Sequence, residues 1–371
     1  METILSFIKR ETVFLISASA AVITMLFVRP SAEYLDYIDF PVLIILFCLM
    51  AVVEGLKKNG AFDILSEKLL SGRLGQKSKY SLLVLLCFFT SMLITNDVAL
   101  IAFVPFTIYL AEDKHSVYLI YIIVLETVAA NLGSMVTPIG NPQNLYLYHY
   151  YNLSIEDFLK ITVPAGMISI FLIFAASVLL IGSSNGKARL ESVGHILKVN
   201  SKRNIIFFSV LFIICVMTVL KMIEYKVCLM AVIVSLIFID KSIFKYIDYW
   251  LLFTFVNFFV VVGNLTNISA VDSLISDFVS GNEFYAGILV SQIISNVPAS
   301  ILLASFTDNF KGLILGVNIG GLGTLIASLA SLISFKYYSL IDGAKRLKYF
   351  FVFTAVNTAF VVLLTVIFRR T

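Results

Sequence analysis

Two short stretches place polar side chains side by side in otherwise apolar surroundings: SMLITNDVAL at 91–100 and SQIISNVPAS at 291–300. Each puts a hydroxyl, Thr95 or Ser295, next to an amide, Asn96 or Asn296. The first continues into a carboxyl, Asp97, and the second into Pro298. Hydroxyls and amides can face a carboxylate, an oxyanion or a neutral hydroxide. A buried carboxyl such as Asp97 could exchange a proton or hold sodium. None of this requires a catalytic metal or a nucleophile, so the chemistry is binding rather than bond breaking.

The surroundings set where such groups must work. Of 371 residues, 60% are hydrophobic and 13% are charged, and the mean hydropathy is +0.97; soluble domains run at about 45–50% apolar and about 25% charged. The chain is an all-α, polytopic membrane protein. Apolar runs at 12–28, 161–182, 204–220 and 349–368 approach or exceed the roughly 20 helical residues that cross a hydrocarbon core. The first reads as a retained span, because no small-residue cleavage site follows it. Cys48, Cys87, Cys215 and Cys228 lie inside apolar segments without a CxxC, as small core residues do. His115, His149 and His195 all fall near loops, which argues against an embedded histidine metal site. The net charge of +4 does not point to nucleic acid, since Lys and Arg collect in cytoplasmic loops of membrane proteins.

Internal repeats connect the two polar stretches. SMLITNDVA at 91–99 aligns with SQIISNVPA at 291–299, NLGSMVTPIG at 131–140 with NIGGLGTLIA at 318–327, and AFDIL at 61–65 with AVDSL at 270–274. Three blocks in one order imply a duplication. The expected layout is an N-terminal span (1–39), a first repeat (40–147), connecting spans with a basic loop at 183–203 (148–248), a second repeat (249–340) and a C-terminal span (341–371). Within the repeats, 80–112 and 284–307 read as re-entrant hairpins, and 116–147 and 312–339 as broken helices. Proline and glycine interrupt the latter: Gly133, Pro138, Gly140, Asn141 and Pro142 in the first, Gly316, Gly320, Gly321 and Gly323 in the second. Three spans between the repeats invert the second relative to the first, the pattern of secondary transporters. With the N-terminus cytoplasmic, twenty Lys and Arg fall inside and seven outside. Unwinding frees backbone carbonyls that can ligate a cation, while half-helix N-termini present N–H groups to an anion.

ITND with TPIGNPQN, and ISNVPA with GVNIGGLGTLIASLASL, resemble the ion-transporter superfamily of arsenite permeases, citrate and divalent anion:sodium symporters, and sodium/proton antiporters. The resemblance covers about residues 40–340. It implies two re-entrant hairpins, two unwound helices, a substrate between the hairpin tips, and often homodimers working by an elevator motion. Carried over by position, the tips are Thr95, Asn96 and Asp97, and Ser295, Asn296 and Val297. The unwound segments are Thr137 to Asn141 and Asn318 to Ser328. Asp97 and Val297 stand where the dicarboxylate carriers have threonine, which moves the reading toward the arsenite-permease side. The candidate binding residues are Thr95, Asn96, Asp97, Asn131, Thr137, Gly140, Asn141, Ser295, Asn296, Pro298, Asn318, Gly320 and Thr324, with Asp97 and Glu126 as coupling candidates and sodium at the Asn96 and Asn296 tips.

Plainer roles compete with these. A membrane asparagine can be an interhelical hydrogen-bond partner, and glycines at 316, 320 and 321 can be small packing faces. Glu54 stands three residues before Lys57, as an interfacial ion pair would, and the tyrosines of LYLYHYYNL read as an interfacial belt. Glu126 lies deeper, where an ionisable group defaults to function. The reading is a multi-pass transporter of a small inorganic or organic anion in the cell membrane, coupled to sodium or protons and needing no other cofactor. A sodium/proton antiporter through Asp97 is the alternative. A membrane-embedded lipid enzyme fits worst, for want of a clustered His, paired-Asp or Ser/His constellation.

Overall fold

A computed structural model describes residues 11–62, 64, 75–111, 113–181 and 201–369. Lys9, Arg10, Lys68, Arg73 and Arg370 of the charge count, most of the basic loop 183–203 and part of the 61–65 block lie outside the described residues. The described residues are helical, with no strand among them, and seven helices are long and apolar enough to cross a membrane.

In chain order the helices are α1 (Thr12–Met25), α2 (Phe40–Lys58), α3 (Gln76–Ile94), α4 (Asn96–Leu110), α5 (Val117–Ser134), α6 (Pro142–Tyr150), α7 (Ile155–Leu180), α8 (Lys202–Val219) and α9 (Tyr225–Ile239). They continue as α10 (Tyr249–Thr266), α11 (Ser269–Val279), α12 (Glu283–Ile294), α13 (Asn296–Ala304), α14 (Phe310–Gly320), α15 (Leu329–Ser339) and α16 (Arg346–Phe368). Short polar residues fix their starts by accepting orphan N–H groups. Asp39 caps α2 through Val42, Asn141 caps α6 through Asn144, Ser154 caps α7 through Asp157, and Asn309 caps α14 through Gly312. Lys57 and Lys58 end α2, where cations suit the dipole, and Lys57 pairs with Glu54 at 3.0 Å.

Single residues join α3 to α4 and α12 to α13, and each pair folds back on itself. The Tyr80 hydroxyl near the start of α3 meets the Leu110 carbonyl at the end of α4 at 3.5 Å. Thr307, just past α13, donates to the Glu283 carboxylate at the start of α12 at 3.2 Å. The hairpins therefore run 76–110 and 283–304, against 80–112 and 284–307 from sequence. Two further helices are interrupted: α5 and α6 by 135–141, α14 and α15 by 321–328. These halves exchange partners, α4 packing on α15 and α13 on α6.

Three expectations are corrected. Unwinding was expected from Asn318, but Asn318 and Gly320 are still in α14 and the helix gives way only at Gly321. Gly316 and Gly320 serve close packing: a Cβ would lie 2.4 Å from the Phe284 carbonyl oxygen in one case and 2.8 Å from the Ser291 Cβ in the other. The tyrosines do not all form a belt, because Tyr146 and Tyr148 are only 3% exposed and join the core, whereas Tyr150 is 44% exposed.

Long-range polar contacts tie neighbouring loops. Lys58 meets Asp240 at 2.6 Å, Lys77 the Val178 carbonyl at 2.7 Å, Lys345 the His115 carbonyl at 3.1 Å and Lys221 Asn152 at 2.6 Å. In the layout read from the charges, each pair lies on one side.

Candidate functional site

The two hairpin tips are built alike. Thr95 has φ 72° and ψ 150°, and Ser295 φ 76° and ψ 154°, a region left almost entirely to glycine because a Cβ crowds the backbone there. From each tip the next N–H donates into an interruption: Asn96 N–H to the Gly140 carbonyl at 3.2 Å, Asn296 N–H to the Ala327 carbonyl at 2.9 Å. Gly140 and Ala327 are aligned in the repeat, as are Thr137 and Thr324. The hydroxyl of Thr137 donates to the Met92 carbonyl, and that of Thr324 to the Gln292 carbonyl at 3.3 Å. Residues paired in the sequence alignment thus make the same contacts in both halves.

The halves are also joined crosswise. Asn141 donates through Nδ2 to Asn318 Oδ1 at 3.0 Å, and Ser328 donates its hydroxyl to Asn131 Oδ1 at 2.9 Å. Since Asn131 aligns with Asn318 and Asn141 with Ser328, each bond is the counterpart of the other. Asn131 accepts a second bond, from Asn96 Nδ2 at 3.0 Å. Asn318 donates to Asn144 Oδ1 at 2.6 Å. These amides and hydroxyls are at most 4% exposed.

Four helices start at this centre. α4 begins at Asn96, α13 at Asn296, α6 just after Gly140 and α15 just after Ala327. Their first-turn N–H groups and positive dipole ends gather around the tips, the arrangement that favours an anion. Pro298 is buried in the first turn of α13, where its missing N–H costs no helix bond.

Asn96, Asn131, Gly140, Asn141, Ser295, Asn296 and Asn318 meet here, with Thr95 and Thr137 half-buried at the edge. Thr324 is exposed, and Gly320 packs α14 closely on α12. Asp97 Oδ1 and Asn96 Oδ1 are buried without a hydrogen-bond partner among the described residues. Glu126 stands apart, five residues before Asn131 on α5, or about 7.5 Å along the axis. It is fully buried, accepts from the Thr107 hydroxyl, and leaves Oε2 without a partner.

Side-chain amides take up some of the carbonyls at the two interruptions. Asn144 Nδ2 donates to the carbonyls of Ser134, Met135 and Thr137 at 3.2, 3.0 and 3.1 Å. Gln292 Nε2 donates to those of Ile288, Gly320 and Leu322 at 3.2, 2.7 and 2.9 Å. Asn144, Gln292 and Ser328 were not among the candidate binding residues. Ser328 is recoverable as the partner of Asn141 in the repeat register, and Asn144 from its spacing of three after a capping asparagine. Gln292 aligns with Met92 and carries no such signal.

Residues 3–310 match the family described as citrate transporter. The chain is 33% identical to an uncharacterised transporter of Methanocaldococcus jannaschii over 337 residues, covering 87% of this chain and 88% of that one. It is 30% identical to the inner membrane protein YbiR of Escherichia coli over 303 residues, covering 81% and 80%. A silicon efflux transporter of Oryza sativa shares 34% identity over 128 residues, covering 34% of this chain and 26% of that one. A lipid enzyme finds no support among these transporters.

Proposed function

The chain belongs to the citrate transporter family, and we propose that it moves a small anion or oxyanion across the cell membrane by secondary active transport, with the substrate held between the Thr95–Asn96 and Ser295–Asn296 tips. The observation that carries this reading is the convergence of four helix N-termini on two polar tips. Such ends attract negative charge, and the buried amides and hydroxyls beside them supply fixed hydrogen-bond partners for its oxygens. We read the two hairpins as re-entrant and the two halves as inverted repeats, since the loop contacts of Lys58, Lys77, Lys221 and Lys345 agree with that layout. The N-terminus is then cytoplasmic, and a homodimer is the expected assembly.

Coupling to sodium or protons falls to Asp97, the carboxyl nearest the first tip, with Glu126 as a second ionisable group deeper in α5. The partnerless Asp97 oxygen also favours a second reading, sodium/proton exchange without an organic or oxyanion substrate.

Both readings are separated by following the unfolding temperature of the purified protein against arsenite, antimonite, silicic acid, citrate, succinate, sulfate and phosphate, each with and without sodium. A ligand that binds only the folded state stabilises it by about 2.7 kcal/mol at a hundredfold excess over Kd. A rise with one solute identifies the substrate; a response to sodium alone favours the exchanger. In proteoliposomes, Asn96→Ala and Asn296→Ala are each expected to abolish uptake while folding and insertion persist. Normal uptake in either variant removes the tips from the site.

A further inference from the structure

Backbone that leaves the helix at membrane depth must find partners for its carbonyls, because lipid supplies none. A bound cation is one solution and a side-chain donor is another. In this chain a side-chain amide serves carbonyls at each interruption. The amide nitrogen of Asn144 sits among three carbonyl oxygens, one at the end of α5 and two of the first interruption, at 3.0–3.2 Å. That of Gln292 sits among three, one each from α12, the end of α14 and the second interruption, at 2.7–3.2 Å.

We propose that Asn144 and Gln292 stand in for coupling cations: their amide nitrogens fill the two carbonyl cradles, so the carrier binds its substrate with no sodium in either. The inference rests on the transport reading above and narrows its coupling.

Three observations support it. The two residues are not repeat counterparts, because Asn144 aligns with Ser331 and Gln292 with Met92; one arrangement is reached from two unrelated positions, on α6 after the interruption and on α12 before the tip. Each amide is also held from its oxygen side, Asn144 by Asn318 Nδ2 at 2.6 Å and Gln292 by the Thr324 N–H at 2.9 Å. Lastly, Asn144 is fully buried and cannot swing into water to make room. An entering cation would have to displace a donor that already serves three acceptors, leaving its N–H groups without partners. Among the tip residues, Asp97 remains as the ionisable group, and it is where a response to sodium is expected to arise.

The test uses the full-length purified protein and its unfolding temperature in sodium, potassium and choline chloride at constant ionic strength. Asp97→Asn is expected to show no sodium-specific rise, whatever wild type does. A rise that survives in Asp97→Asn overturns the proposal, because sodium then binds despite the amides. Gln292→Ala in the Asp97→Asn background opens one cradle and is expected to gain a sodium-specific rise of several degrees at saturation. An opened cradle that ignores sodium also overturns it. Should Gln292→Ala fail to fold, Gln292→Ser opens the same cradle while keeping a short hydroxyl that can reach the helix carbonyls. Failure of the transport reading shows elsewhere, as the absence of a shift with any tested anion at any sodium concentration.

Discussion

Replacing Thr95 or Ser295 by glycine should stabilise the protein while impairing it. Both residues hold φ above 70° with ψ near 150°, a conformation that costs a residue bearing a Cβ about 1–3 kcal/mol. Alanine keeps the Cβ and hence the strain, but loses the hydroxyl just as glycine does. The glycine–alanine difference therefore isolates the backbone contribution. Against the relief stands the greater freedom of glycine in the unfolded chain, about 0.5–1 kcal/mol. The net advantage of glycine over alanine is about 1 kcal/mol at each tip, or roughly 2 °C in unfolding temperature. In the interior of α4, at Ala102, the order reverses and glycine loses about 1 kcal/mol. Thermal unfolding in detergent measures all of these variants, and uptake in proteoliposomes should fall in the stabilised ones, because the tip is then free to leave its shape. Glycine no more stable than alanine at both tips would refute the claim that these residues are strained.

Asn131→Ala leaves the Asn96 amide and the Ser328 hydroxyl buried without their acceptor; a loss of about 2 kcal/mol or more is expected in unfolding, and combining it with Ser328→Ala should add little more. Gly133→Ala puts a Cβ 2.1 Å from the Phe88 carbonyl oxygen, whereas one at Gly75 meets nothing within 4 Å; the first should cost about 1–3 kcal/mol or more, the second almost nothing in packing, as paired melts can establish. Burial by itself would raise the Asp240 carboxyl, but hydrogen bonds from Lys58 and Ser242 outweigh it and hold the group below its ordinary 3.8. Its contribution to stability is therefore present above that range and lost as pH falls through the lower folded value, and Asp240→Asn should flatten this part of an acid-unfolding curve.

The parts of the molecule written in apolar runs were legible from the sequence. Hydropathy marks spans to within a few residues because lipid imposes their length, and the register of 131–140 on 318–327 pairs Gly140 with Ala327, which then accept equivalent bonds. What stayed hidden depends on three-dimensional neighbours. Gly316 and Gly320 look like helix breakers in a string of glycines, yet whether a glycine unwinds a helix or lets another backbone approach is decided by what lies opposite, here α12. Tyr146 and Tyr148 follow a helix start and look interfacial, but α6 is only nine residues long and is enclosed by α2 and α13. Gln292 was passed over because glutamine on an apolar helix announces no partner.

The crosswise bonds also bear on how the chain is made. Asn141 waits for Asn318, 177 residues later, and Asn131 for Ser328, 197 residues later. At about 5–20 residues per second, synthesis leaves the first half without these partners for roughly 10–40 s. During that interval the polar centre of a half-made carrier sits in the bilayer unfinished, so the nascent first half must borrow water, lipid headgroups or an insertion factor until its second half arrives.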